Sequence, residues 1–195
     1  MQTNNIHFFT DNPYLLATKI HIVETQRTRM IDCVLSQKDI AKYHGGYTFE
    51  IMDPYNDFAE LYNNFVELTR QVFENFRFSV KQKNWCWANV YNSSNNKTNM
   101  HNHVNTSTIN GVFYLHVPTL SDGEGGLQIN NNGVVDTFYP EIGDLLIMPS
   151  WMLHQPCDHS SEQYRISINM EINTIESVDN LYLLDKIHKT CTPHA

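Results

Sequence analysis

Tyr164-Arg165-Ile166-Ser167-Ile168-Asn169-Met170-Glu171-Ile172-Asn173 alternates apolar and polar residues without a break. A period of two is the period of a β-strand. One face therefore carries Tyr164, Ile166, Ile168, Met170 and Ile172, and the other Arg165, Ser167, Asn169, Glu171 and Asn173. The apolar set packs on a core, and Arg165 and Ser167 point the same way. Pattern alone allows the polar face to look outward. Its place after a candidate metal ligand, His154, assigns it to an inner, ligand-facing side.

Read outward from this segment, 84–91, 109–117, 126–129, 134–138, 144–148 and 164–172 are strand candidates. Turn residues separate them, among them Asp122-Gly123, Gly125-Gly126, Asn132-Gly133 and Pro140. Many short strands at this spacing predict a sandwich or barrel. The first third is mixed, with a short strand expected at 20–23 and a helix at 27–43 ended by Gly45 and Gly46. Phe58, Leu61, Phe65, Leu68, Val72 and Phe76 recur at helical spacing and predict a long amphipathic helix, opened by Asp57 and packed on a sheet. Pairing with a second copy is the other use for that stripe. A last helix is expected near 178–188, and 92–99 reads as a polar loop. The expected organisation is one domain over 1–195: a mixed support region (1–80), a strand-rich core (84–173) and a C-terminal extension (174–195).

The chain has 195 residues, 41% of them hydrophobic and 17% charged, a balance that supports a packed core. A formal charge of -8 argues against general binding to a nucleic-acid backbone. No apolar run approaches the length of a membrane span, and residues 1–10 show no export pattern, so a cytoplasmic location is expected. Cys33, Cys86, Cys157 and Cys191 form no CxxC pair, which disfavours a sulfur-ligated zinc site.

His101 and His103 stand one residue apart, a spacing that aims both imidazoles into one space if the segment is a strand. In the run from Gly143 to His154, a Gly-Asp turn starts a buried strand, Pro149 ends it, and a histidine is presented just beyond. Three convergent imidazoles make a metal site suited to iron, zinc, copper or nickel. Asp122 or Glu124, in a Gly-rich loop, could add a carboxylate, but strand geometry favours His103 as the third ligand. Trp85, Trp87 and Trp151 could line a substrate mouth or fill the core.

In order, the HxH pair, Gly111-Val112-Phe113-Tyr114-Leu115, the Gly143–Trp151 run, His154 and Arg165-Ile166-Ser167-Ile168-Asn169 resemble the 2-oxoglutarate/Fe(II)-dependent oxygenases, closest to a small branch found in phages and marine bacteria. The resemblance covers about residues 85–172 and implies a mostly β double-stranded β-helix, a jelly-roll or cupin-like barrel, with the N-terminal helices on one sheet. It implies Fe(II) on His101, His103 and His154, with 2-oxoglutarate as co-substrate. Arg165 would bind the far carboxylate, with Ser167 and Tyr114 beside it and Asn89 a weaker contact; Asn102 has no assigned role. The implied reaction hydroxylates a C–H bond of a small-molecule or peptidyl substrate while 2-oxoglutarate becomes succinate. A phage-encoded chain would act in the host cytoplasm. This sequence has His103 where that family usually has aspartate. Two alternatives follow: a cupin-type three-histidine dioxygenase or isomerase, and a non-catalytic metal-binding module.

Overall fold

A computed structural model describes residues 7–8, 15–38, 47–51, 56–72, 78–79, 86–94, 98–131 and 133–174. The described elements are β1 (His7–Phe8), β2 (Leu16–Lys19), α1 (Glu24–Gln37), β3 (Tyr47–Glu50), α2 (Asp57–Val72), β4 (Phe78–Ser79) and β5 (Cys86–Tyr91). They continue with β6 (Ile109–His116), β7 (Leu127–Asn131), β8 (Val134–Phe138), β9 (Asp144–Pro149), β10 (Leu153–Pro156) and β11 (Arg165–Thr174). Two antiparallel sheets result. The larger runs β1-β2-β9-β6-β11-β5-β3, with β4 paired to the end of β11, and the smaller runs β10-β7-β8. This is the expected double-stranded β-helix.

The alternation along β11 divides the molecule into two cores. Ile166, Ile168, Met170 and Ile172 join Met30 and Val34 of α1 and Phe58, Leu61, Phe65 and Leu68 of α2 on the outer face of the larger sheet. Each such fully buried side chain contributes about 1.5–3 kcal/mol. The part of the helical stripe from Phe58 to Leu68 thus packs inside the chain. α2 lies directly on β6, because a Cβ at Gly111 would sit 2.6 Å from the Phe65 ring. Between the sheets, Leu15, Ala17, Val112, Tyr114, Leu127, Ile129, Leu146, Met148 and Met152 form the second core. The polar face of β11 turns inward beside this core, and Arg165, Ser167 and Asn169 line a cavity there.

Several expected boundaries need correction. The strand expected at 20–23 lies at Leu16–Lys19 instead. Leu16 to Lys19 run antiparallel along β9 to its first residue, in register from Ile147 to Asp144, and Ile20 N–H ends the ladder on Gly143 C=O at 2.8 Å. β9 begins at Asp144, so its ladder with β2 does not extend to 21–23. The first helix starts at Glu24, before its apolar period begins, with Arg27 folding back on Glu24 at 2.6 Å. Beyond residue 38 its expected extension lies outside the described residues, as do 73–76, 84–85 and the 178–188 helix. Asp57 is the first residue of α2, and both of its carboxylate oxygens accept from Arg29, at 2.9 and 3.1 Å. The segment that presents His154 beyond Pro149 is itself a strand, β10, paired with β7.

Candidate metal centre and adjoining cavity

His154 lies on β10, and its backbone forms a two-bond antiparallel bridge with His101, at 2.9 and 3.0 Å. The bridge attaches the HxH segment to the smaller sheet. His103 leaves this ladder: its N–H donates to Ser150 C=O at 2.8 Å, and its C=O accepts from Thr106 and Ser107 in a turn. The expectation that one strand carries both histidines is therefore corrected. A bridge and a turn, rather than strand alternation, bring the two rings to one side.

The convergence itself holds. One nitrogen from each of His101, His103 and His154 lies within 4.8 Å of the others. Ring centroids are 5.1 Å apart for His101 and His103, 4.6 Å for His101 and His154, and 5.2 Å for His103 and His154. The Nδ1 atom of every ring has an oxygen acceptor: Asn99 C=O at 2.9 Å for His101, Met152 C=O at 3.0 Å for His154, and Glu171 Oε1 at 3.0 Å for His103. An Nδ1–H donor leaves Nε2 unprotonated and fixes the plane of the ring. Such a tautomer on each ring would leave three Nε2 lone pairs free, a set that could hold a metal ion. Burial works in the same direction, holding His154 down at about 3 and lowering His101. Both rings stay neutral at physiological pH, the state a metal requires. Neither Asp122 nor Glu124 joins the group, which corrects that alternative. Glu124 instead accepts from Ser160 Oγ at 3.0 Å.

A cavity of about 260 Å³ adjoins the histidines. Register on the larger sheet explains its lining. Ser167 pairs with Asn89 on one side and Tyr114 on the other, and Asn169 pairs with Trp87 and Val112. All six line the cavity, with Arg165 at the end of the same face. Three expected co-substrate residues, Arg165, Ser167 and Tyr114, and the weaker candidate Asn89, therefore share the space bounded by the three histidines.

Arg165 is 2% exposed, and no carboxylate pairs with it among the described residues. Its Nη1 donates to the carbonyls of Gly125 and Gly126, its Cζ lies 5.7 Å from the Tyr91 ring centroid, and its Nε has no hydrogen-bond partner among the described residues. The close approach of this turn depends on glycine. Gly125 has φ +66°, and a Cβ there would collide with the Leu120 side chain. A buried cation without a counter-ion is costly unless an anion is bound. Burial raises the Tyr114 hydroxyl far above its usual value, so it stays a proton donor.

Sequence reasoning missed two residues of this face. Glu171 holds His103, and Asn169 presents an unpartnered Nδ2 while lining the cavity. Both belong to the alternating polar set that contains Arg165, which was the signal available. Of the tryptophans, Trp87 stands 5.9 Å from the His103 ring, Trp151 packs against the inner core, and Trp85 lies outside the described residues.

No sequence-family profile matches the chain, and no curated protein does. Solved structures do resemble it. A prolyl hydroxylase from Trichoplax adhaerens, in complex with a hypoxia inducible factor peptide fragment, superposes with a TM-score of 0.67 at 13% identity over 84% of each chain. A Pseudomonas putida prolyl-4-hydroxylase gives 0.61 at 13% identity, over 83% of this chain and 93% of the other. A viral collagen prolyl hydroxylase from Paramecium Bursaria Chlorella virus-1, in its 2OG complex, gives 0.61 at 11% identity, over 83% and 97%. At such identities the likeness establishes the fold: a double-stranded β-helix, here with three histidines and a buried arginine facing one cavity.

Proposed function

We propose that this protein is a 2-oxoglutarate- and Fe(II)-dependent oxygenase. The observation that carries the proposal is Arg165: a buried guanidinium, with no carboxylate partner among the described residues, lining the same cavity as three converging imidazoles. A metal site alone does not call for such a cation, whereas a dicarboxylate that also reaches the metal does. The donor set fits the ion, since imidazole suits iron and three ligands leave coordination positions open. The structural neighbours support the fold on which such chemistry is carried.

In this reading His101, His103 and His154 hold Fe(II). The bound ion and 2-oxoglutarate supply oxidation of a substrate C–H bond by dioxygen, with 2-oxoglutarate converted to succinate and carbon dioxide. The protein's own contribution is placement. Arg165 grips the far carboxylate through parallel N–H donors, a geometry lysine cannot copy. Its orientation is set by the Gly125 and Gly126 carbonyls on one edge. Ser167 and Tyr114 donate hydroxyl protons to the same carboxylate, and Asn89 is a further contact. Val112 and Leu127 form apolar wall that limits water beside the reacting groups. No side chain is needed as nucleophile or general base. The prime substrate is a small molecule or a peptide, the second class being represented among the neighbours by a bound peptide.

The test is succinate formation by purified protein loaded with Fe(II) under nitrogen and then given 2-oxoglutarate and air. Slow succinate production that depends on iron, and that is lost in Arg165→Met, is expected. Iron binding with no 2-oxoglutarate binding would favour a cupin-type or non-catalytic metal protein, neither of which has a use for Arg165.

A further inference from the structure

The usual one-carboxylate site supplies a negative charge directly at the metal, and this chain has a third imidazole instead. A carboxylate is nonetheless present one bond further out. Glu171 is 7% exposed, and its Oε1 accepts from His103 Nδ1 at 3.0 Å and from Thr106 Oγ1 at 2.7 Å. The Thr106 hydroxyl also reaches His103 C=O at 3.2 Å, and Trp87 stands against the His103 ring. Glu171 itself is anchored from behind, where Tyr62 on α2 donates to its backbone C=O at 3.0 Å. The other two metal-facing rings rest on neutral carbonyls. Of the three, His103 alone has an acidic partner among the described residues, and His103 occupies the position where a carboxylate ligand is displaced by imidazole.

We propose that Glu171 is a positioning residue that makes His103 a histidine–carboxylate ligand, restoring to the three-histidine centre the negative charge its direct donors lack. This rests on the metal-centre reading above. Physically, a carboxylate that accepts the Nδ1 proton fixes the tautomer, aims Nε2 and raises its basicity. The proposal also implies that position 103 and position 171 are coupled. An aspartate at 103 would place a carboxylate oxygen near where Nδ1 now sits, against Glu171, and the two like charges would repel.

The experiment is a Co(II) titration, followed by visible absorption, of wild type, Glu171→Gln, His103→Asp and the double variant. Glutamine keeps the shape and an acceptor oxygen but removes the charge, so folding is preserved. Glu171→Gln alone is expected to weaken Co(II) binding about 10-fold or more, within the range of outer-shell partners. On the His103→Asp background the same change is expected to strengthen binding about 10-fold. That reversal of sign is something a purely structural role does not produce. Wild-type affinity in Glu171→Gln, or equal weakening on both backgrounds, would overturn the proposal. Failure of wild type to bind Co(II) overturns the metal centre as well. Succinate formation is scored separately, so loss of the oxygenase reading alone shows as normal Co(II) behaviour without turnover.

Discussion

Replacing Arg165 by methionine separates ligand binding from folding. The guanidinium is buried with no carboxylate partner among the described residues, so its removal breaks no ion pair among them. What is lost is the donor to two carbonyls, and Gly126 C=O keeps a bond from Cys157 N–H at 2.8 Å. One unsatisfied carbonyl costs about 1–3 kcal/mol, offset by relief of burying an unpaired charge. Ligand-free stability should therefore change little. Binding of 2-oxoglutarate should change greatly, because truncating one partner of a buried charge pair costs about 2–5 kcal/mol, or roughly 30-fold to several thousand-fold in Kd. Thermal shift with Zn(II) in place of iron reads both effects. At a 2-oxoglutarate concentration 100 times its Kd, wild type gains about 2.7 kcal/mol, a rise of about 5–11 °C for a chain of this size. With Kd raised 30-fold or more, the gain falls to about 0.9 kcal/mol or less, a rise of at most about 4 °C. A full shift in Arg165→Met would refute the assignment of this cavity to a dicarboxylate.

Tyr114→Phe should fold normally, since the ring stays in the inner core, and should weaken 2-oxoglutarate by about 1.5–3 kcal/mol, the worth of a hydrogen bond to a charged group; calorimetry with unchanged affinity would remove Tyr114 from the pocket. Gly125→Ala should destabilise the protein by about 1–2 kcal/mol from its φ of +66° alone, with the Leu120 clash in addition, and should raise the 2-oxoglutarate Kd by disturbing Arg165; an unaltered urea midpoint speaks against the turn as its support. Metal-free protein should lose stability on mild acidification. Burial holds His154 at about 3 against an ordinary 6.5, so the unfolded chain takes up a proton that the folded one refuses. The contribution is complete above about pH 6.5 and lost as pH falls toward 3, at up to about 1.4 kcal/mol per unit. Urea midpoints at pH 7 and pH 5, in chelator, check this, and equal midpoints would show that His154 is accessible to protons.

The β-rich core was legible because β11 is apolar on one face and polar on the other, though both are buried, so its period survives in the sequence. Its inward polar side could be inferred only through His154, since period alone does not say which face meets solvent. The metal ligands were legible as residues and not as geometry. His101 reaches His154 through backbone bonds across a long sequence gap, and no local spacing reports such a bridge. The same limitation misplaced the first strand. Ile20-His21-Ile22-Val23 has strand-like composition, but pairing depends on where β9 begins, and Gly143 ends the ladder at Ile20. Glu171 was hidden in plain alternation: its parity marked it as inward, while its partner His103 lies on a distant turn.

The most direct test of the central claim is a crystal structure of the protein grown with Mn(II) and 2-oxoglutarate. The expected result is one ion bound by Nε2 of His101, His103 and His154, chelated by the keto-acid end of the ligand, with the far carboxylate on Arg165. An ion bound elsewhere, or a diacid absent from the Arg165 end of the cavity while the histidines hold metal, would contradict it.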